Sequence, residues 1–287
     1  MKQYLTVIIF ITGFLSVQPV LAKQVVSITP EIVMQGEPFM VSGVDDFVIK
    51  EIFWNGKPVP VFVYQGIPRG IIGVDLYQEP GDYKLKILFT NDSDEEPIVR
   101  VISREKVEAP LGIPQKLGGN TTSSATVLVN TLAEENAILT KAKTGAKAFW
   151  TVPFRLPLNT KIFVTDSYGY TRLTNGQSIA HKGTDFRAPE GTRARSMNRG
   201  VVRIAQTFRN YGKTVVVDHG LGLQTMYMHL SKIYVNPGEL VLPGQIIGLS
   251  GSTGYAEAAH LHVSVRINGI SIDPMKFLAL FEQKTSF

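Results

Sequence analysis

The sequence predicts a mainly β chain: an amino-terminal immunoglobulin-like β-sandwich, a short linker helix, and a carboxy-terminal domain of short strands. Three observations carry this. Residues 24–103 break into seven apolar runs of strand length separated by turn residues, the spacing of a small sandwich. Residues 105–124 are rich in Pro, Gly, Thr, Asn and Ser, and one segment with helical spacing follows them. From residue 149 short strands return and continue to about residue 277, and all five histidines fall there. A length of 287 residues suits two domains of this size.

At the start of the chain, Lys2 gives a positive charge, residues 5–17 are largely apolar, and Val20-Leu21-Ala22 offers a small-residue cleavage site. That is the layout of a secretory signal peptide over residues 1–22, with an uncleaved anchor as the alternative. The sandwich occupies 23–104, with candidate strands at 24–29, 38–43, 47–54, 59–64, 70–77, 82–90 and 97–103. Asn55-Gly56 is a hairpin signal, and Pro80-Gly81 marks another connection. Tyr83, Leu85 and Ile87 alternate with Lys84, Lys86 and Leu88, as on a half-buried strand. This part has no histidine, so spacing, docking or regulation is its expected work. Residues 105–148 form the linker and helix, where Val127, Leu128, Leu132, Ile138 and Leu139 lie near helical spacing. Glu134 and Glu135 in mid-segment, with Lys141 and Lys143 near its end, favour the helix dipole. Residues 149–287 form the last domain.

Composition narrows the chemistry. The excess of 29 Lys and Arg over 24 Asp and Glu is small and scattered, without the basic runs expected of a nucleic-acid binder. After residue 25 no apolar stretch reaches the roughly 20 residues of a membrane span. Cysteine is absent, which excludes disulfides, thiolate metal sites and a cysteine nucleophile. Any metal must be held by His and carboxylates.

Three fragments can hold one. In residues 260–267, Leu261, Val263, Val265 and Ile267 share one face of a strand, and His260, His262, Ser264 and Arg266 share the other. Two imidazoles therefore face a cleft together. In the preceding strand Met226, Met228 and Leu230 share one face, and Thr225, Tyr227 and His229 the other. A hairpin at Gly220-Leu221-Gly222 would let His229 face the same cleft if the register allows. His181 and Asp185 are four apart, but Gly183 and Thr184 argue against a helix. A loop entering a strand would bring both toward one metal. Two imidazoles and one carboxylate suit a catalytic zinc with an open fourth position. His219, beside Asp218 at a turn, reads as structural.

The fragments His181-Lys182-Gly183-Thr184-Asp185-Phe186, Tyr227-Met228-His229-Leu230-Ser231, Gly251-Ser252-Thr253-Gly254 and His260-Leu261-His262, closed by Asn268-Gly269 and Asp273-Pro274, stand in one order over residues 153–277. This series resembles the lysostaphin-type (LytM-like) zinc endopeptidases that act on peptidoglycan. The resemblance implies a compact antiparallel β-sheet peptidase domain and one zinc per chain held by His181, Asp185 and His262. It also implies that His229 and His260 form the catalytic pair. Two departures from the family pattern bear on substrate preference: Val263-Ser264 stands where many members have Phe-Glu, and Tyr170-Thr171-Arg172 where an arginine pair is common.

The implied activity is hydrolysis of crosslinking peptides in the bacterial wall, with a D-alanyl–diaminopimelate bond as first expectation, by an exported, periplasmic enzyme. A secreted or wall-associated location is the alternative. Peptidoglycan peptide is the expected partner, with no nucleic acid and no membrane span after signal cleavage. The rival functions are a non-catalytic wall-binding or hydrolase-activating protein and a carboxypeptidase acting on wall peptides. Regulation by the amino-terminal part is a further expectation, with an oxygen of Asn120, Glu134 or Glu135 blocking the fourth zinc position. The opposing expectation is a spacer helix packed on the sandwich.

Overall fold

The computed structural model describes residues 26–44 and 48–282, so the expected signal peptide at 1–22 lies outside the described residues. The sandwich forms from two sheets. One has the order 26–29, 38–43, 67–73, 61–64, and the other 32–34, 98–102, 81–89, 49–54, 57–59. Their inner faces bury Val26, Val41 and Ile72 against Val33, Ile52, Leu85 and Val99. Asn55 and Gly56 take φ of 49° and 72°, the left-handed pair a two-residue hairpin needs, and join Ile49–Trp54 to Lys57–Val59. The run expected as one strand at 59–64 is two, because the chain changes sheets at Pro60, which has no backbone N–H for a ladder. The strand expected at 70–77 is Ile67–Gly73.

The carboxy-terminal domain is built on an antiparallel sheet of order 164–166, 184–187, 260–267, 223–230, 213–220, 200–207, 240–241, to which 270–272 adds beside 260–267. Its two faces have different partners. Val215, Val217, Tyr227, Leu261, Val263 and Val265 enter the main core with Trp150, Phe154 and Phe277. Val216, Met226 and Met228 point the other way, onto Leu139 and Phe208. Met40, Phe62, Tyr64 and Ile71 of the sandwich join that main core, so the two parts share buried apolar surface.

Helix α1, Thr122–Thr140, begins three residues before the expected segment because Thr121 is its N-cap, accepting a hydrogen bond from the Ser124 N–H at 3.0 Å. The expected charge–dipole match is partial: Lys141 is the C-cap residue, but no acidic residue lies in the first turn. Nor does α1 pack on the sandwich. Ala125 and Leu128 pack with Ile113 and Tyr255, and Leu139 with Met226 and Met228, so the helix covers one face of the carboxy-terminal sheet. Ahead of it, Glu108–Pro110 pairs in parallel with Thr171–Thr174, fastening the expected linker to the same domain. No helix among the described residues is long and apolar enough to cross a membrane.

Candidate active site

His181 follows the strand Gln177–Ala180, and Asp185 lies on Thr184–Arg187 directly opposite His262 of His260–Ile267. The loop between His181 and Asp185 needs Gly183. A Cβ there would lie 2.3 Å from the His262 Nε2 and 2.6 Å from the Val263 carbonyl oxygen. This close approach lets three donor atoms meet. His181 Nε2 is 3.0 Å from Asp185 Oδ1 and 3.0 Å from His262 Nδ1, and His262 Nδ1 is 2.7 Å from Asp185 Oδ1. All three residues are buried.

The protons are placed by what surrounds this triangle. His181 Nδ1 donates to the Ser167 carbonyl at 2.9 Å. His262 Nε2 donates to Ser264 Oγ at 2.9 Å, whose own hydroxyl donates to the Lys182 carbonyl at 2.8 Å. A ring in its neutral form then turns a lone pair toward the Asp185 carboxylate. Burial lowers the His262 pKa to about 4, so that ring is neutral near pH 7. Burial raises the Asp185 carboxyl, but positive charge on the His181 and His262 rings, with the N–H groups they then donate, outweighs it and holds the carboxyl well below the usual range. Its second oxygen accepts from Arg172 Nη2 at 2.5 Å. With both rings neutral, three lone-pair donors with edges of 2.7–3.0 Å suit one small cation bound at about 2.0–2.1 Å. The residues present therefore fit the zinc that the sequence implies.

His260 and His229 complete the groove. The His260 Nδ1 donates to the Ala258 carbonyl at 2.8 Å, which leaves Nε2 buried with no partner, 3.7 Å from Asp185 Oδ2. The His229 Nδ1 donates to the Thr253 carbonyl at 2.8 Å, and its ring centroid is 4.9 Å from that of His260 and 5.9 Å from that of His262. Burial, reinforced by the His260 and His262 rings, pushes its pKa well below the ordinary histidine value.

Strand alternation does not place His229 as expected. Tyr227 faces the main core, and the groove belongs to the Met226 and Met228 face, since Met228 is paired with His262 and Met226 with Ser264. His229 reaches the groove because its φ is 59°, a left-handed conformation that breaks the pleat and turns the ring to the other side. His219 is fully buried elsewhere, between the Arg199 carbonyl at Nδ1 and Thr225 Oγ1 at Nε2, with its ring edge on Phe154.

The expected blocking oxygens point away from the three donors. Asn120 Oδ1 accepts from the Ile113 N–H, Glu135 accepts from the Asn210 and Tyr211 N–H groups at 2.9 and 3.1 Å, and Glu134 is exposed. These contacts close the linker and fasten α1 to the 208–212 loop. Two contributors to the site escaped the sequence reading. Ser264 was visible on the His262 face by alternation. Arg172 stood out only as a departure from a family arginine pair, with no role toward Asp185, because that contact depends on the hairpin 171–180 folding back over the sheet.

Together these features define a β-sheet domain with a buried His–Asp–His triad that could hold a metal ion, and two further histidines beside it. A match to Peptidase family M23 extends over residues 179–274 and includes all four groove histidines and Asp185. The match lies within the carboxy-terminal domain and covers about a third of the chain. Among curated relatives, the peptidoglycan DD-endopeptidase ShyA of Vibrio cholerae is 37% identical over 124 residues, 42% of this chain and 29% of ShyA. The DD-carboxypeptidase/endopeptidase Mpg of Neisseria meningitidis is 39% identical over 95 residues, 33% of this chain and 22% of Mpg. The matches thus span less than a third of these relatives. A crystal structure assigned to peptidase M23 of Pseudomonas aeruginosa has a TM-score of 0.62 and 26% identity, covering 86% of this chain and 96% of that one.

Proposed function

We propose that this protein is a zinc-dependent endopeptidase of peptidoglycan, one zinc per chain, that cuts crosslinking peptides at D-alanyl–diaminopimelate bonds. The observation that supports it most is the common orientation of four imidazoles. Each outward nitrogen is held by an acceptor, and each inward nitrogen is left as a lone pair in one groove. The names of the ShyA and Mpg relatives supply the substrate class. Export to the periplasm through a signal peptide at 1–22 belongs to the same reading, as does the division into 23–104, 105–148 and 149–287.

In this mechanism His181, Asp185 and His262 hold the metal. Zinc, when bound, supplies a Lewis acid that brings the pKa of water to about 7 and polarises the peptide carbonyl. The rest falls to the chain's own groups. His260, fixed by Ala258 and unpaired at Nε2, takes the proton of the attacking water and returns it to the leaving amine. His229 has its Nδ1–H committed to Thr253, so its neutral ring offers Nε2 as an acceptor that orients the water or assists the proton transfer. Arg172 and the two ring anchors, Ser167 and Ser264, position the ligands.

The test incubates the purified full chain, zinc-loaded or chelator-treated, with isolated wall and with monomeric and dimeric muropeptides. Zinc-dependent conversion of dimers to monomers supports the reading. Loss of a terminal residue from monomers alone would make it a carboxypeptidase, and no release from any substrate would leave a binding or activating protein.

A further inference from the structure

We propose that Arg266 binds a carboxylate of the peptide substrate, so that the groove selects peptides with a free carboxylate within a few residues of the cleaved bond. The inference rests on the proposed function and names the substrate chemistry read by that groove. Arg266 follows His262 by four residues on the same strand face, a Cα separation of about 13 Å. It is 5% exposed, the one buried arginine among the described residues. Three half-buried arginines have carboxylates: Arg172 pairs with Asp166 and Asp185, Arg104 lies near Glu37 and Asp273, and Arg203 pairs with Asp218. Arg266 has only neutral partners. Its Nη1 donates to Thr140 Oγ1 at 3.2 Å and its Nη2 to Asn136 Oδ1 at 2.5 Å, while its Nε has none.

A buried cation without an anion bears a large desolvation cost, and a guanidinium matches a carboxylate in shape and charge. Arg266 also lines a cavity of about 480 Å³ that His181, His229 and His262 share. Arg172 and Lys182 add positive charge to its wall, and no Asp or Glu lines it. Asn136 and Thr140 of α1 hold the guanidinium in place before a ligand arrives, and the Nε–H stays buried without a partner. A wall crosslink offers two carboxylates of this kind, the side-chain carboxylate of diaminopimelate and the carboxy-terminus of a stem.

The experiment uses the zinc-loaded full chain and synthetic dimeric muropeptides in four forms: both carboxylates free, the diaminopimelate carboxylate amidated, the terminal carboxylate amidated, and both amidated. Wild type is expected to show a KM at least tenfold higher on the doubly amidated form. Arg266→Gln should raise KM by a similar factor on the free form and by less than twofold on the doubly amidated one, with Arg266→Lys in between. The singly amidated forms identify the carboxylate. Calorimetry of free and doubly amidated product peptides with the metal-free chain reads the same preference without catalysis. Equal KM on all four forms by wild type, or an equal loss by Arg266→Gln on free and doubly amidated forms, would overturn the inference. No cleavage of any dimer by wild type would instead defeat the proposed function, and the calorimetric preference would then decide the role of Arg266 alone.

Discussion

His229 lies on the opposite face of the sheet from Tyr227, two residues before it on the same strand, and its φ of 59° is what separates them. In a regular strand the two would share a face, and the imidazole would sit in the apolar core beside Leu261, the next position in register after Met228 and His262. The left-handed residue costs on the order of 1–3 kcal/mol in a non-glycine position, and here it delivers the ring to the groove. His229→Ala and His229→Gly should both keep zinc and both lose wall hydrolysis by at least about a hundredfold, the range for a missing general acid or base. The glycine variant should be more stable than the alanine variant by about 1 kcal/mol, because glycine meets no Cβ penalty at this φ. Zinc content, hydrolysis and urea unfolding of the pair check this. A glycine variant no more stable than the alanine one would remove backbone strain from the explanation.

Zinc should leave when any of the three donors is removed. His181→Ala, Asp185→Ala and His262→Ala are each expected to purify with little or no metal and to be inactive, while His260→Ala keeps full occupancy and loses activity by at least about a hundredfold. Elemental analysis alongside hydrolysis separates the two groups. Full occupancy in all three ligand variants, or near-parent hydrolysis by His260→Ala, would break the assignment of roles.

The supports of His262 make a finer prediction. Ser264→Ala removes the acceptor for its Nε2–H, and the zinc affinity should fall by roughly 10–100-fold, as is usual when such a partner is lost. Gly183→Ala should weaken it at least as much, since the new Cβ meets the Val263 backbone as well as the ring. Competition against a chelator of known affinity measures both. Unchanged affinity in Gly183→Ala would mean that the 182–184 loop yields without moving the ligands.

Much of this site was legible because its signals are local. Alternation in 260–267 put His260, His262, Ser264 and Arg266 on one face, and the structure has them there. The loop–strand reading of His181 and Asp185 needed only Gly183 and a β-branched neighbour. What the sequence hid are non-local or irregular features. Nothing in Tyr227-Met228-His229 announces a left-handed residue, since the conformation is imposed by the loops at 211 and 253 that hold the His229 backbone and ring. The placement of α1 was equally hidden. Its apolar positions showed that one face is buried but not against what, and the choice of sheet over sandwich follows from Met226, Met228 and Tyr255, which lie far along the chain.

The last prediction concerns His219, the histidine outside the groove. Its ring is fully buried, and burial lowers its pKa to about 4, against an ordinary value of 6.5. The site is built around the ring: Nδ1 donates to the Arg199 carbonyl, and Nε2 lies 2.8 Å from Thr225 Oγ1, which is also hydrogen-bonded to the Tyr227 hydroxyl. Protonation would place a second donor against the Thr225 hydroxyl inside an apolar core. Between these two pKa values the unfolded chain binds a proton that the folded chain does not. Stability from this residue is therefore complete above about pH 6.5 and is lost as pH falls toward 4, with a total on the order of 3 kcal/mol. His219→Phe should be less stable than the parent at pH 7.5, because it strands the Arg199 carbonyl and removes one of the two partners of the Thr225 hydroxyl. Its unfolding free energy should nevertheless fall less steeply between pH 6.5 and 4, by up to about 1.4 kcal/mol per pH unit. Urea titrations of the two proteins at a series of pH values measure that slope. Parallel curves across this window would show that His219 does not titrate on unfolding and that its neutral burial plays no part in the acid sensitivity of the fold.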